Sequence, residues 1–202
     1  MTMETQTRIP VTFYVEETPN PNSLKFVANT KLIEGDSIEF VFASEAKHSP
    51  LAQALFKFPF VKSIFFASNF VTIVKHDSFE TLEVTIPLRD FLTEYISSGK
   101  PVFAQAVVTQ KSDIVENAIV EETITNELDI KIVQILDEYI KPAVESDGGA
   151  IVFKSFKDGV VTVSLQGSCR GCPSSTMTLK AGIEGLLKRL VHEVESVVAE
   201  ND

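Results

Sequence analysis

Between Val160 and Val198 the hydrophobic period of the chain changes, and the change falls on its only two cysteines. Upstream, Val161, Val163 and Leu165 alternate with Thr162, Ser164 and Gln166, which predicts a half-buried strand over Val160–Gln166. Downstream, Ile183, Leu187, Leu190, Val194 and Val197 recur at spacings of four and three, which predicts one helix running from Ser174 or Ser175 towards Val198. The connection reads Gly167-Ser168-Cys169-Arg170-Gly171-Cys172-Pro173-Ser174-Ser175. A strand-to-helix turn of this kind sets both thiols beside a helix N-terminus, where unsatisfied N–H groups and the helix dipole favour thiolate over thiol. Arg170 adds a positive charge, and Ser174 or Ser175 can cap the helix. Thiolates ligate iron and zinc and attack disulfides, so Cys169 and Cys172 are the candidate site residues. The turn is expected at one edge of a short sheet, where it is not deeply buried.

The residues themselves leave three uses open: cluster ligation, zinc or dithiol chemistry, and structural cysteines. His48, His76 and His192 lie far from the pair with no ligand spacing and read as surface or structural residues. A thioredoxin-like redox protein needs a βαβ sheet on both sides of the motif. Here one hairpin precedes it, and the last helix is expected to end the chain. A dithiol–disulfide oxidoreductase, with Cys169 as nucleophile, is the alternative function.

Composition narrows the partners. With 18 basic and 28 acidic residues the formal charge is −10, which disfavours nucleic acid and anionic membranes. No apolar run is long enough to span a bilayer. Two cysteines are too few for a secreted disulfide scaffold, and the polar start of the chain carries no targeting pattern, so a cytoplasmic protein is expected. Most of the 15 phenylalanines lie in the first half, which points to two separate cores.

Taken in order, strands are expected at Val11–Glu17, Leu24–Val27 and Ser37–Phe42, with an ordered turn or a loop at Thr18-Pro19-Asn20-Pro21-Asn22-Ser23. Ser49-Pro50 starts a helix. Val61–Phe66 and Phe70–Lys75 form a hairpin, and Phe79–Ser97 is helical with a kink or fresh start at Pro87. Phe56, Phe58, Phe60, Phe65, Phe66 and Phe70 read as core, with part of the set able to form a client-docking patch. This first α+β domain covers residues 10–98, a linker 99–125 follows, and a second domain covers 126–202. There Asn126 caps a helix bearing Leu128, Ile132, Ile135 and Tyr139 on one face. Ser146-Asp147-Gly148-Gly149 ends that helix, and Asp158-Gly159 is a two-residue hairpin turn joining Ile151–Phe156 to Val160–Gln166. The second domain is an α-β-β-α unit with Cys-x-x-Cys at the start of its last helix.

Leu136-Asp137-Glu138, Pro142-Ala143-Val144, Ser146-Asp147-Gly148-Gly149 and the cysteine segment occur in an order that resembles the C-terminal domain of NifU-like (Nfu-type) iron–sulfur scaffold and carrier proteins. Thr18 to Phe26, with Ser49-Pro50-Leu51-Ala52, is similar to the N-terminal domain that accompanies it. Ala150 stands where an acidic residue often follows the glycines, and Phe79 where a Trp is expected. Common clusters take four thiolates. One chain supplies Cys169 and Cys172, and a second chain, a small thiol or a client can supply the rest. The resemblance implies a homodimer sharing one 4Fe–4S cluster (2Fe–2S being the other option) between two such pairs. It further implies a non-enzymatic carrier that takes its cluster from upstream assembly proteins and delivers it to apo iron–sulfur clients.

Overall fold

The computed structural model describes residues 10–104, 126–170 and 173–200. Two sheets organise them. The first is five-stranded and antiparallel: β1 (Phe13–Glu16), β2 (Ser23–Ala28), β3 (Ile38–Phe40), β4 (Val61–Ala67) and β5 (Phe70–Lys75), in the order β1-β2-β5-β4-β3. Helices α1 (Pro50–Leu55) and α2 (Thr81–Ser97) cover its inner face. Ser49 caps α1 by accepting the Ala52 N–H at 3.2 Å, with Pro50 at the first helical position. Helix α2 buries Val84, Leu88, Leu92 and Tyr95 and runs as one helix through Pro87, with no fresh start. Phe26, Ile64, Phe66, Val71 and Ile73 of the sheet complete this core. The expected linker begins inside this unit. Val102 and Phe103 pack on the core, and the Tyr95 hydroxyl and Ser49 hydroxyl donate to the carbonyls of Pro101 and Val102. The acidic stretch from Asp113 lies outside the described residues up to 125.

The second unit opens with α3 (Glu127–Ile135), whose first turn donates Asp129 N–H to the Asn126 side chain at 2.9 Å. A π-turn over Leu136–Ile140 then leads into α4 (Lys141–Ser146). The π-turn takes one extra residue per turn and rotates the buried face. Leu136 and Val144 therefore continue inward, whereas Tyr139, expected on that face, is 54% exposed. Strands β6 (Gly149–Lys157) and β7 (Val160–Gly167) pair through Asp158 and Gly159, both at positive φ, as the turn chemistry demands. Helix α5 (Pro173–Leu190) is shorter than expected. Val194 and Val197, expected on its face, belong instead to a turn and to a further strand, β8 (Ser196–Glu200), which pairs parallel to β7. The fold is α+β as expected, but the α-β-β-α order gains this strand. Cysteine spacing is thus carried by a β7–α5–β8 crossover, and its core joins Ile132, Phe153, Val161, Val163, Ile183, Leu187 and Val197. No helix among the described residues is long and apolar enough to cross a membrane.

Candidate functional site

The cysteine segment leaves the C-terminal end of β7 and enters the N-terminus of α5. In a sheet with parallel pairing this is the edge where ligand-binding loops gather. Two glycines allow the segment to close. Gly167 sits at φ +65°, and a Cβ there would lie 2.6 Å from the Gly148 carbonyl oxygen. Gly149 lies so close that its Cβ would meet Cys169 Sγ at 2.9 Å. Gly148, at φ +82°, ends α4 as a glycine in the left-handed region does. Its carbonyl accepts the Ser168 N–H at 3.2 Å, and the Ser168 hydroxyl donates to the Asp147 carbonyl. The loop after α4 and the loop after β7 are therefore one structure.

Cys169 lies in that structure and is 3% exposed, contrary to the expectation of an exposed edge. Its side chain clusters with Val144 and Leu165 of its own unit. The reason is visible in the backbone: the short contacts at Gly149 and Gly167 draw the turn down onto the sheet end. Gly171 and Cys172 lie outside the described residues, as do the side chains of Ser174 and Ser175. Among the described residues no group of three or more His, Cys, Asp and Glu could hold a metal ion, and His48, His76 and His192 are exposed.

The surroundings of the loop come from the first unit. Glu16, Lys25, Thr72, Phe65 and Glu39 are cross-strand partners in turn, one from each strand, and form a single row across the outer face of the five-stranded sheet. Lys25 pairs with Glu16 at 2.8 Å, stacks over the Phe70 ring, and donates to the Ser146 carbonyl at 3.1 Å. The Thr72 hydroxyl donates to the Gly148 carbonyl at 2.7 Å. Phe65 lies against Gly167. Glu39 accepts the Gly167 N–H at 2.9 Å with one oxygen and the Arg170 guanidinium at 2.8 Å with the other. Beside the row, Val27, Ala67 and Phe70 join Phe65 in a small apolar cluster with Ala150. Ala150 is the residue that stands where an acidic side chain is often found, and here a carboxylate would be buried. From the Pro/Asn turn, Asn20 adds one more bond. Its carbonyl oxygen is fixed by the Asn22 N–H at 3.0 Å, which leaves the amide to donate to the Ser168 carbonyl at 2.9 Å.

This changes the electrostatics expected of the loop. The Arg170 charge is paired to Glu39, whose side chain is only 5% exposed. Burial raises the Glu39 pKa above the ordinary carboxylate value, although the Gly167 N–H and Arg170 both pull it down. Asn20, Lys25, Glu39 and Thr72 were not legible as site residues. Alternation places Glu39 on the solvent face of a strand, and only the second unit makes that face interior. The clustering of prolines and asparagines in residues 18–23 was the one available signal, and it marks where Asn20 is.

Comparison with known proteins bears on these two units separately and together. Residues 13–99 match the family described as scaffold protein Nfu/NifU N terminal, and residues 132–198 match the NifU-like domain. The human NFU1 iron-sulfur cluster scaffold homolog, mitochondrial, is 36% identical over 201 residues, covering 94% of this chain and 75% of that protein. The chain belongs to the Nfu family of iron–sulfur cluster scaffolds. Homologues of the same name from Drosophila persimilis and Drosophila willistoni are 37% and 38% identical over 90% of this chain, which spans 62% and 61% of their lengths. The solution structure of a NifU-like protein from Saccharomyces cerevisiae is similar over 52% of this chain and 94% of its own, at 25% identity and a TM-score of 0.44. The cytoplasmic location expected from composition is overturned: these Nfu relatives are named mitochondrial, and acidity with few cysteines fits any reducing compartment. The argument against a thioredoxin-like arrangement also loses one support, because β8 follows the last helix and closes a βαβ unit.

Proposed function

We propose that this Nfu chain is a non-catalytic mitochondrial carrier that holds an iron–sulfur cargo through Cys169 and Cys172. Two chains supply the four thiolates of one 4Fe–4S cluster and release it to apo iron–sulfur proteins. Residues 126–202 would carry the cluster, and residues 10–98 would govern its transfer. The observation that carries this reading is the place of Cys169, in a glycine-closed turn between a strand end and a helix N-terminus, within a chain of the scaffold family. A thiolate beside a helix N-terminus gains from the helix dipole, and Gly171, between the two cysteines, would let the backbone come close to a bulky inorganic core. A ligand set completed by a second copy separates when the cargo leaves, which suits delivery.

The test is anaerobic reconstitution with iron and sulfide, followed by size-exclusion chromatography with absorbance and iron read together. About four iron atoms per eluting dimer, and none with Cys172→Ala, are the expected result. A colourless monomer that reduces a disulfide substrate would replace the carrier with the dithiol oxidoreductase.

A further inference from the structure

The cysteine turn is gripped on both sides of Cys169 by groups from the other unit. Before Cys169, the Gly167 N–H goes to Glu39 and the Ser168 carbonyl takes the Asn20 amide. After it, the Arg170 guanidinium returns to the second oxygen of the same Glu39 carboxylate. One side chain thus spans residues 167 to 170, with Cys169 inside the span and its thiol turned onto Val144 and Leu165. A thiol packed on two aliphatic side chains and 3% exposed cannot bond to iron until the turn moves. Nothing in the second unit's own core requires Glu39. Among the described residues its carboxylate bonds only to the turn, and its burial is unfavourable to the charged form.

We propose that Glu39 is a positioning residue for cluster exchange: by holding Gly167 and Arg170 together it keeps Cys169 stowed, and release of this grip, as the two units part, presents the thiol to its cargo. The proposal rests on the carrier reading for the identity of the cargo, but not for the stowing itself. Glu39 touches neither thiol nor cluster and acts through the backbone on one side and Arg170 on the other. Asn20 supports the same state from the Ser168 carbonyl.

Alkylation of the full-length apo-protein by iodoacetamide tests it. In a Cys172→Ser background Cys169 is the single thiol, because the chain has only two cysteines. Glu39→Ala should raise the Cys169 rate by about tenfold or more, since local opening sets the exposure of a buried group. Glu39→Gln keeps an acceptor for the Gly167 N–H and loses the charge pair with Arg170, so its rate should lie between the two. Leu88→Ala, in the core on the opposite face of the sheet, controls for loss of stability. At a temperature where circular dichroism shows it folded, its Cys169 rate should stay near wild type. Equal rates in wild type and Glu39→Ala would overturn the proposal, as would a Leu88→Ala rate as high as that of Glu39→Ala. The two readings fail separately. Chain that reconstitutes a cluster but shows no Glu39 effect keeps the carrier and loses the stowing. Chain that shows the Glu39 effect but takes up no iron keeps the stowing and loses the carrier.

Discussion

The two faces of the five-stranded sheet, the outer one open only towards its β1 edge, where Tyr14 is exposed, are built in opposite ways. The inner face carries Phe26, Ile64, Phe66, Val71 and Ile73 against α1 and α2, without a charge among them. The outer face carries the row from Glu16 to Glu39, with a small apolar cluster beside it. Phe65 and Phe66 are sequence neighbours, 1% and 0% exposed, yet they belong to different clusters because successive side chains in a strand point to opposite faces. The inner face needs only volume and apolarity. The outer face meets the main chain of another unit, so it needs donors and acceptors at fixed places. The difference teaches that apolar burial holds the first unit together, whereas hydrogen bonds decide which part of the second unit it meets.

That contrast can be broken most forcefully at the two phenylalanines. Phe66→Ala should cost about 3–5 kcal/mol of global stability in chemical denaturation, the usual range for a buried aromatic. Phe65→Ala removes the same atoms, but its loss should appear as separation of the units, seen as faster proteolysis between them with the first unit still folded. A single cooperative loss in both variants would erase the distinction. Gly167→Ala comes next. A side chain at φ +65° facing the Gly148 carbonyl is strained and crowded, at about 2 kcal/mol or more. It should both lower the melting temperature and expose Cys169, whereas a Gly182→Ala control, with open space around it, should do neither. Thr72→Val keeps the shape but takes from the Gly148 carbonyl the donor of the first unit and leaves it the Ser168 N–H alone, which should weaken docking by about 1 kcal/mol.

The smallest effect depends on pH. Burial raises the Glu39 pKa in the folded protein above its ordinary 4.5. A raised folded value means that the folded state binds the proton more tightly than the unfolded one. The contribution from this linkage is therefore complete below the unfolded pKa and is lost as pH rises through the folded pKa. Glu39→Gln cannot titrate. The stability of wild type minus that of Glu39→Gln should fall as pH is raised from below 4.5 through the raised value, measured by denaturation at a series of pH values. A flat difference would mean that Arg170 and the Gly167 N–H fully offset the burial.

Much of the architecture could be read from the sequence because it follows from local chemistry. Ser49-Pro50, Asn126 and Asp158-Gly159 stand where a cap, a cap and a hairpin turn were expected. The end of the last helix could not be read. Val194 and Val197 keep helical spacing with Ile183 and Leu187, and no glycine or proline between Leu190 and Ser196 marks the stop. Both valines are buried for another reason, since a turn and a parallel strand return them to the same core. At the candidate site the cysteines were evident, but their setting was not. Glu39, Thr72 and Lys25 read as solvent-facing positions of strands. Only contact over more than a hundred residues of chain separation turns Glu39 inward, as its bonds to Gly167 and Arg170 do. The Pro/Asn segment reads as an ordered turn or a loop with no stated task, and in the fold it aims Asn20.

The row from Glu16 to Glu39 has one member on every strand, from one edge of the sheet to the other. A slip of a single residue in any strand would send its member to the inner face and bring an apolar neighbour out. The second unit can then settle only where β2, β5, β4 and β3 are in register, since Lys25, Thr72, Phe65 and Glu39 are the members that meet it. Docking works as an inspection of the finished sheet, and a chain misaligned at the β3 edge would fail it before its cysteine turn was ever closed.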